Sequence, residues 1–166
     1  TVQLVGPGGA CARERAMAVS GDMSERSSDD LLRDIWYFAL PSAALESGQL
    51  VARTLLGEPV VFGRGADGVA FALRDICPHR GIPLSDGRMT GSEVECCYHG
   101  WRFGSDGVCT AIPSLVEGQD MDVSRVRVRR YPISEAQGCL WIFMASDARR
   151  ASDPPPAPTL PAVARS

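Results

Sequence analysis

Both histidines of this 166-residue chain fall inside two short cysteine-bearing clusters, and that placement constrains the fold more than any other feature. The first cluster reads Cys77-Pro78-His79-Arg80-Gly81 and the second Cys96-Cys97-Tyr98-His99-Gly100-Trp101. As spacing this is C-x-H, sixteen intervening residues, then C-x2-H. Each cluster offers one thiolate and one imidazole from a tight loop, so a fold that turns the loops toward each other presents two Cys and two His to one centre. Such a set can hold a single Zn in tetrahedral geometry. It can also hold a [2Fe-2S] cluster with two Cys on one iron and two His on the other. Zinc fingers pair like with like, C-x2-4-C with H-x3-5-H; here each loop mixes one Cys with one His, which favours the iron–sulfur cluster.

A chain of this length makes one domain and buries about two thirds of its unfolded surface, so its core does not depend on disulfides. The chain opens Thr1-Val2-Gln3-Leu4, without a basic stretch followed by an apolar one. No segment approaches the roughly 20 apolar residues that span a bilayer. The expectation is a cytoplasmic protein, where six Cys more often mean metal or redox chemistry than disulfides. All 17 basic residues are Arg, with no Lys and no Asn, as a GC-rich bacterial genome would produce. A net charge of −3 argues against nucleic acid as a partner.

Residues 1–30 contain clustered Gly6, Gly8 and Gly9 and a polar run from Ser20 to Asp30, which reads as a disordered extension with Met17 and Met23 as natural starts. Asp29 or Asp30 can cap a short helix carrying Leu31, Leu32, Ile35 and Trp36. Pro41 ends it, and Ser42 can cap a second turn through Leu45. Short β-type segments follow: Leu50 to Leu56, Val60 to Gly63, Val69 to Arg74, Val94 to Cys96, Trp101 to Phe103, Val108 to Ala111, Val126 to Tyr131 and Cys139 to Met144. Turn signals such as Gly57-Glu58-Pro59, Ser105-Asp106-Gly107 and Gln137-Gly138 separate them. The pattern predicts an all-β domain over 31–146. Residues 147–166, with Asp153-Pro154-Pro155-Pro156-Ala157-Pro158, read as a stiff extended tail that cannot join a sheet.

The residues around the clusters carry a resemblance. C-P-H-R-G and C-x-Y-H-G-W resemble the two binding boxes of Rieske iron–sulfur proteins, and the stretch from Trp36 to Met144 resembles the N-terminal part of Rieske non-haem iron oxygenases. Ile35-Trp36-Tyr37, Gln49-Leu50-Val51-Ala52-Arg53, Leu56-Gly57-Glu58-Pro59-Val60-Val61 and Gly138-Cys139-Leu140-Trp141-Ile142-Phe143 share it. Closest in texture are the large subunits of aromatic-ring hydroxylating and O-demethylating oxygenases, of the vanillate demethylase and phenoxybenzoate dioxygenase type. The resemblance implies antiparallel sheets with a cluster-binding subdomain of two loops, preceded by a short helical segment. It implies a [2Fe-2S] cluster on Cys77, His79, Cys96 and His99. The family spacing selects Cys96 over the adjacent Cys97, whose position usually holds a small residue or Pro.

Large subunits of this kind also carry a catalytic domain whose mononuclear Fe(II) is held by two His and a carboxylate. No His follows His99, so these residues do not bind that iron in the family manner. The implied role is one-electron transfer to the iron of a catalytic domain. The implied partners are an NAD(P)H-linked reductase or ferredoxin and the other subunits of a homotrimer. A free-standing Rieske ferredoxin is the alternative, and a zinc-stabilised interaction domain a third reading. The helical lead-in and the Pro-rich continuation favour the first.

High-potential Rieske proteins place a disulfide at positions matching Ile82 and Tyr98, and hydroxyl donors to cluster sulfur at positions matching Trp101 and Phe103. All four features are absent, which predicts a potential near the low end of the Rieske range, roughly −150 mV. Arg125, Arg127, Arg129 and Arg130 alternate along a predicted strand, as a solvated face or as a docking surface for an acidic redox partner or neighbouring subunit. Arg80, beside His79, reads as a docking residue. Trp36, Trp101 and Trp141 read as core or interface packing, and Cys11, Cys109 and Cys139 as small neutral residues. Gly81 and Gly100 permit the backbone turns of the two boxes, and Pro78 stiffens the first.

Overall fold

The computed structural model describes residues 32–160 apart from 117 and 120. Eleven strands run through them: β1 (Ile35–Pro41), β2 (Leu50–Leu55), β3 (Glu58–Arg64), β4 (Ala70–Arg74), β5 (Arg88–Thr90), β6 (Glu93–Glu95), β7 (Arg102–Gly104), β8 (Cys109–Ala111), β9 (Arg130–Tyr131), β10 (Ile133–Ala136) and β11 (Cys139–Met144). One short helix, α1 (Ala148–Ser152), follows them. Every strand pairing is antiparallel, in three sheets ordered β1-β11-β10, β2-β3-β4-β9 and β5-β6-β7-β8. The all-β architecture of antiparallel sheets expected from the sequence is the one observed.

The middle sheet explains why three layers form. Successive side chains of a strand point to opposite faces, and β3 and β4 are apolar at consecutive positions, so both faces of this sheet must be covered. Val60, Phe62 and Ala72 face a core shared with Leu40, Leu140, Ile142 and Met144 of the β1-β11-β10 sheet. Val61, Phe71 and Leu73 face a second core shared with Val94, Phe103 and Cys109 of the β5-β6-β7-β8 sheet. Cys77 and Cys96 belong to that second core.

The expected helix is not formed: Leu32 lies in irregular chain, and Ile35 and Trp36 begin β1; Leu31, Asp29 and Asp30 lie outside the described residues, as do the 1–30 extension, Met17, Met23 and Cys11. The run Ile-Trp-Tyr-Phe is β-branched and aromatic, and it covers the edge of β11 from Ile35↔Met144 to Pro41↔Cys139. An exposed β11 edge would leave a row of unpaired backbone groups. Asp34 closes the entry, its carboxylate accepting from the Ser146 amide at 2.9 Å. A 3-10 turn over Ser42–Ala44 matches the second expected turn, although no side chain caps it.

The long strand expected over Val126 to Tyr131 is broken, because this segment changes sheets along its length. Val126 and Val128 bond to Cys109 and Gly107 beside β8, whereas the Arg129 carbonyl accepts from Arg74 of the middle sheet, so only Arg130–Tyr131 is strand. The alternating Arg stripe is broken with it: Arg125 ends a 3-10 turn and Arg129 pairs with Glu58. The short strands β5 and β10 were not expected; each is three or four residues of mixed polarity. Arg149 and Arg150 lie in α1 rather than in an extended tail. Beyond α1 the described residues join no sheet, yet they are tied down: Trp36 Nε1 donates to the Pro155 carbonyl at 2.9 Å, and Gln137 exchanges two hydrogen bonds with Leu160.

Candidate metal centre

The two Cys/His clusters fold as the same device used twice. In the first, after β4, the Gly81 amide donates to the Cys77 carbonyl at 2.8 Å and the Cys77 amide to the Ile82 carbonyl at 2.8 Å. In the second, between β6 and β7, the Gly100 amide donates to the Cys96 carbonyl at 3.0 Å and the Cys96 amide to the Trp101 carbonyl at 2.9 Å. Each loop therefore begins at a Cys and closes on a Gly four residues later. Gly81 and Gly100 sit at φ +73° and +69°, the left-handed region that a side chain disfavours.

Two neighbouring contacts fix where the loops stand. Asp75 is buried, and its carboxylate accepts from the Ser85 amide at 2.7 Å and the Ser85 hydroxyl at 2.6 Å, clamping the first loop across its base. Arg88, Glu95 and Arg102 are successive cross-strand partners, and Glu95 binds both guanidinium groups, at 2.6 and 2.9 Å. That ladder sets the register of β5, β6 and β7 directly before Cys96. Neither contact was legible in the sequence, because each joins polar residues whose spacing matches no local motif.

Burial divides the four donors by type. Cys77 and Cys96 are 2% and 4% exposed in the core with Leu84, Val94 and Phe103, whereas His79 is half-buried and His99 exposed. Cys97 faces solvent. The imidazole rings of His79 and His99 lie 4.7 Å apart between centroids. Trp101 stacks on His79, 4.6 Å away and only 4° from parallel, and Tyr98 lies 4.0 Å from His99. The Trp101 indole N–H is buried and finds no acceptor among the described residues.

Burial pushes the Cys77 thiol up to about 11; the Cys96 thiol beside it adds to the rise, and the backbone amides of His79 and Arg80 oppose it. The Cys77 thiol therefore holds its proton until a metal displaces it. Burial, then the charges of His99 and Arg80, lower the His79 imidazole below its ordinary 6.5, which keeps it in the neutral form that ligates metal. Among the described residues no three His, Cys, Asp or Glu side chains gather as the cage of a single ion would require. The donors instead form an inner thiol pair and an outer imidazole pair, a set that fits a two-iron cluster with sulfur ligands on one iron and nitrogen ligands on the other.

Arg80 is exposed beside His79. Arg127, Arg129 and Arg130 line an open groove of about 800 Å³ whose far wall includes Asp147, Ala148, Ala151 and Pro154. Among the described residues no helix is long and apolar enough to cross a membrane.

Residues 35–132 match the family model of the Rieske [2Fe-2S] domain. The chain is 40% identical over 117 residues to the 3-chlorobenzoate-3,4-dioxygenase oxygenase subunit of Comamonas testosteroni, a match that covers 70% of this chain and 27% of that protein. It resembles the crystal structure of apo dicamba monooxygenase with a TM-score of 0.62 and 37% identity, over 69% of this chain and 34% of the other. It also resembles the reduced complex between oxygenase and ferredoxin in carbazole 1,9a-dioxygenase, with a TM-score of 0.64 and 32% identity, over 75% and 30% of the two chains. The chain thus spans about a third or less of the length of these proteins.

Proposed function

The chain belongs to the Rieske [2Fe-2S] domain family, and from that premise we propose that it transfers single electrons through a cluster held by Cys77, His79, Cys96 and His99, as the relay domain of an oxygenase large subunit. The observation that carries this reading is the division of the four donors into a buried thiol pair and an outward imidazole pair. When bound, the cluster supplies one-electron redox chemistry.

The protein's own residues do the rest. Cys77 and Cys96 would hold one iron of the cluster, and their side chains stand in a core with Leu84, Val94 and Phe103. His79 and His99 would hold the other, and around them the exposed His99, Tyr98 and Arg80 form the face a redox partner meets. That partner is a ferredoxin or an NAD(P)H-linked reductase; the oxygenase–ferredoxin complex of carbazole 1,9a-dioxygenase supports the first. Residues 31–146 are the relay domain, and 147–166 lead toward a catalytic domain whose mononuclear iron receives the electron and whose substrate is an aromatic compound. The assembled oxygenase is a cytoplasmic homotrimer.

Iron and acid-labile sulfide analysis tests the cofactor and its ligands. Equimolar iron and sulfide, lost in Cys77→Ser and Cys96→Ser and perturbed spectroscopically in His79→Cys and His99→Cys, are the expected result. Zinc without sulfide would overturn the reading. The coding sequence downstream of Ser166 tests the oxygenase assignment: an in-frame D/E-x2-H-x3-4-H-like stretch is expected, and a stop codon without one favours a ferredoxin.

A further inference from the structure

Trp101 touches both ligand loops at once. Its backbone carbonyl accepts the Cys96 amide at 2.9 Å and closes the second loop. Its indole lies against the His79 ring of the first, with 4.6 Å between centroids and 4° between planes. A parallel aromatic neighbour restricts rotation of the imidazole, so the ring plane of one candidate ligand is set by the residue that closes the loop of another.

The indole N–H adds a second observation. It is buried and no acceptor among the described residues meets it. Leaving a buried donor unpaired is costly, and such a group calls for an acceptor that the polypeptide does not provide. Trp36 shows the ordinary solution, its Nε1 bonded to the Pro155 carbonyl at 2.9 Å. Trp141 also keeps a buried, unpaired N–H, but it packs edge-on to Phe38 in the β1-β11-β10 sheet, on the other side of the molecule's middle layer. Trp101 alone of the three combines an unmet donor with contact to both candidate ligand loops.

We propose that Trp101 is a positioning residue of the centre, its ring fixing the plane of His79 and its indole N–H donating to a sulfur acceptor of the bound cluster. The inference rests on the ligand reading given under Proposed function. It also revises the expectation that Trp101 merely replaces a hydroxyl donor with packing: the position keeps a donor, an N–H in place of an O–H. Hydrogen bonds to cluster sulfur are one of the levers that set the reduction potential, a donor there favouring the reduced, more negative state.

The test uses the full chain carrying equimolar iron and sulfide. Trp101→Phe keeps an aromatic ring against His79 and removes the N–H; Trp101→Leu removes both; Trp141→Phe removes an unpaired N–H remote from the loops. Trp101→Phe is expected to keep the iron content and the electron paramagnetic resonance g values of the parent while its potential falls by about a tenfold shift in the reduction equilibrium, ~59 mV for one electron. Trp101→Leu is expected to shift the g values as well and to release iron faster to a chelator. Trp141→Phe is expected to leave the potential unchanged. A Trp101→Phe potential equal to the parent's, or an equal fall in Trp141→Phe, overturns the inference while the ligand reading stands. A parent protein without equimolar iron and sulfide overturns both.

Discussion

Residue spacing carried the chemistry of this chain further than it carried the contacts that support it. The C-x-H and C-x2-H spacings marked the residues that the fold brings together, because each pair lies within one tight turn and local sequence dictates local geometry. The Asp75–Ser85 clamp and the Trp101–His79 stack join residues 10 and 22 positions apart on different elements, and no periodicity links them. Ser85→Ala leaves one oxygen of a buried carboxylate without its donor, so it should destabilise the fold by about 1.5–3 kcal/mol and speed iron release from the adjoining Cys77 loop; urea midpoints and chelator kinetics read the two effects. A second polar knot makes stability depend on pH. Burial alone would raise the Glu58 carboxyl, but the Tyr131 hydroxyl at 2.5 Å and Arg33 at 2.6 Å, with Arg129 beside them, hold it below its ordinary 4.5. A carboxyl lowered by folding adds stability above its unfolded value and loses it as pH falls through the folded one. Tyr131→Phe should therefore cost about 1–2 kcal/mol at pH 7, and its deficit relative to the parent should shrink below about pH 4, as denaturant titrations at a series of pH values would reveal.

Elements were legible where one sheet claims the whole segment. Cys139 to Met144 was expected and observed as a strand without a residue's difference, because it is the central strand of its sheet and its apolar run is paired on both edges. Val126 to Tyr131 carries a similar alternation but divides its hydrogen bonds between β8 and β4, and a choice between two sheets leaves no mark on composition. In Ile35 to Pro41 a short run of large apolar residues satisfies helical spacing and strand pairing alike, and only the open edge of β11 decides between them. The ligand loops give this scale its prediction. Ala at Gly81 meets open space, so its cost is the positive φ alone, about 1–2 kcal/mol. Ala at Gly100 bears the same strain and also meets Pro113 Cγ at 3.3 Å. Gly100→Ala should thus lower the iron-to-protein ratio more than Gly81→Ala, and equal ratios in the two variants would refute the ordering.

At the scale of the molecule, the middle sheet separates two kinds of work. The core on one face holds Cys77 and Cys96; the core on the other is built with the β1-β11-β10 sheet. The outer surface of that sheet holds Trp36 against Phe143, which is only 1% exposed, and the chain beyond α1 is bonded to Trp36 and Gln137 there. Composition foretold that the Pro-rich segment would not pair as a strand. It did not foretell that the segment returns to the sheet, because Pro carbonyls accept hydrogen bonds as well as any others and the donors that find them lie over a hundred residues away in one case. Removing the residues after Ser152 deletes these three bonds and uncovers apolar surface, and should cost about 1–3 kcal/mol, a loss of several degrees in Tm. The same truncation should leave the reduction potential where the full chain has it, because the hydrogen bonds of the described residues it removes go to Trp36 and Gln137 and not to either ligand loop. Thermal unfolding and voltammetry on the two proteins separate the effects: a stable truncation product would mean that the tail adds nothing to the fold, and a shifted potential would mean that the two faces of the middle sheet are coupled.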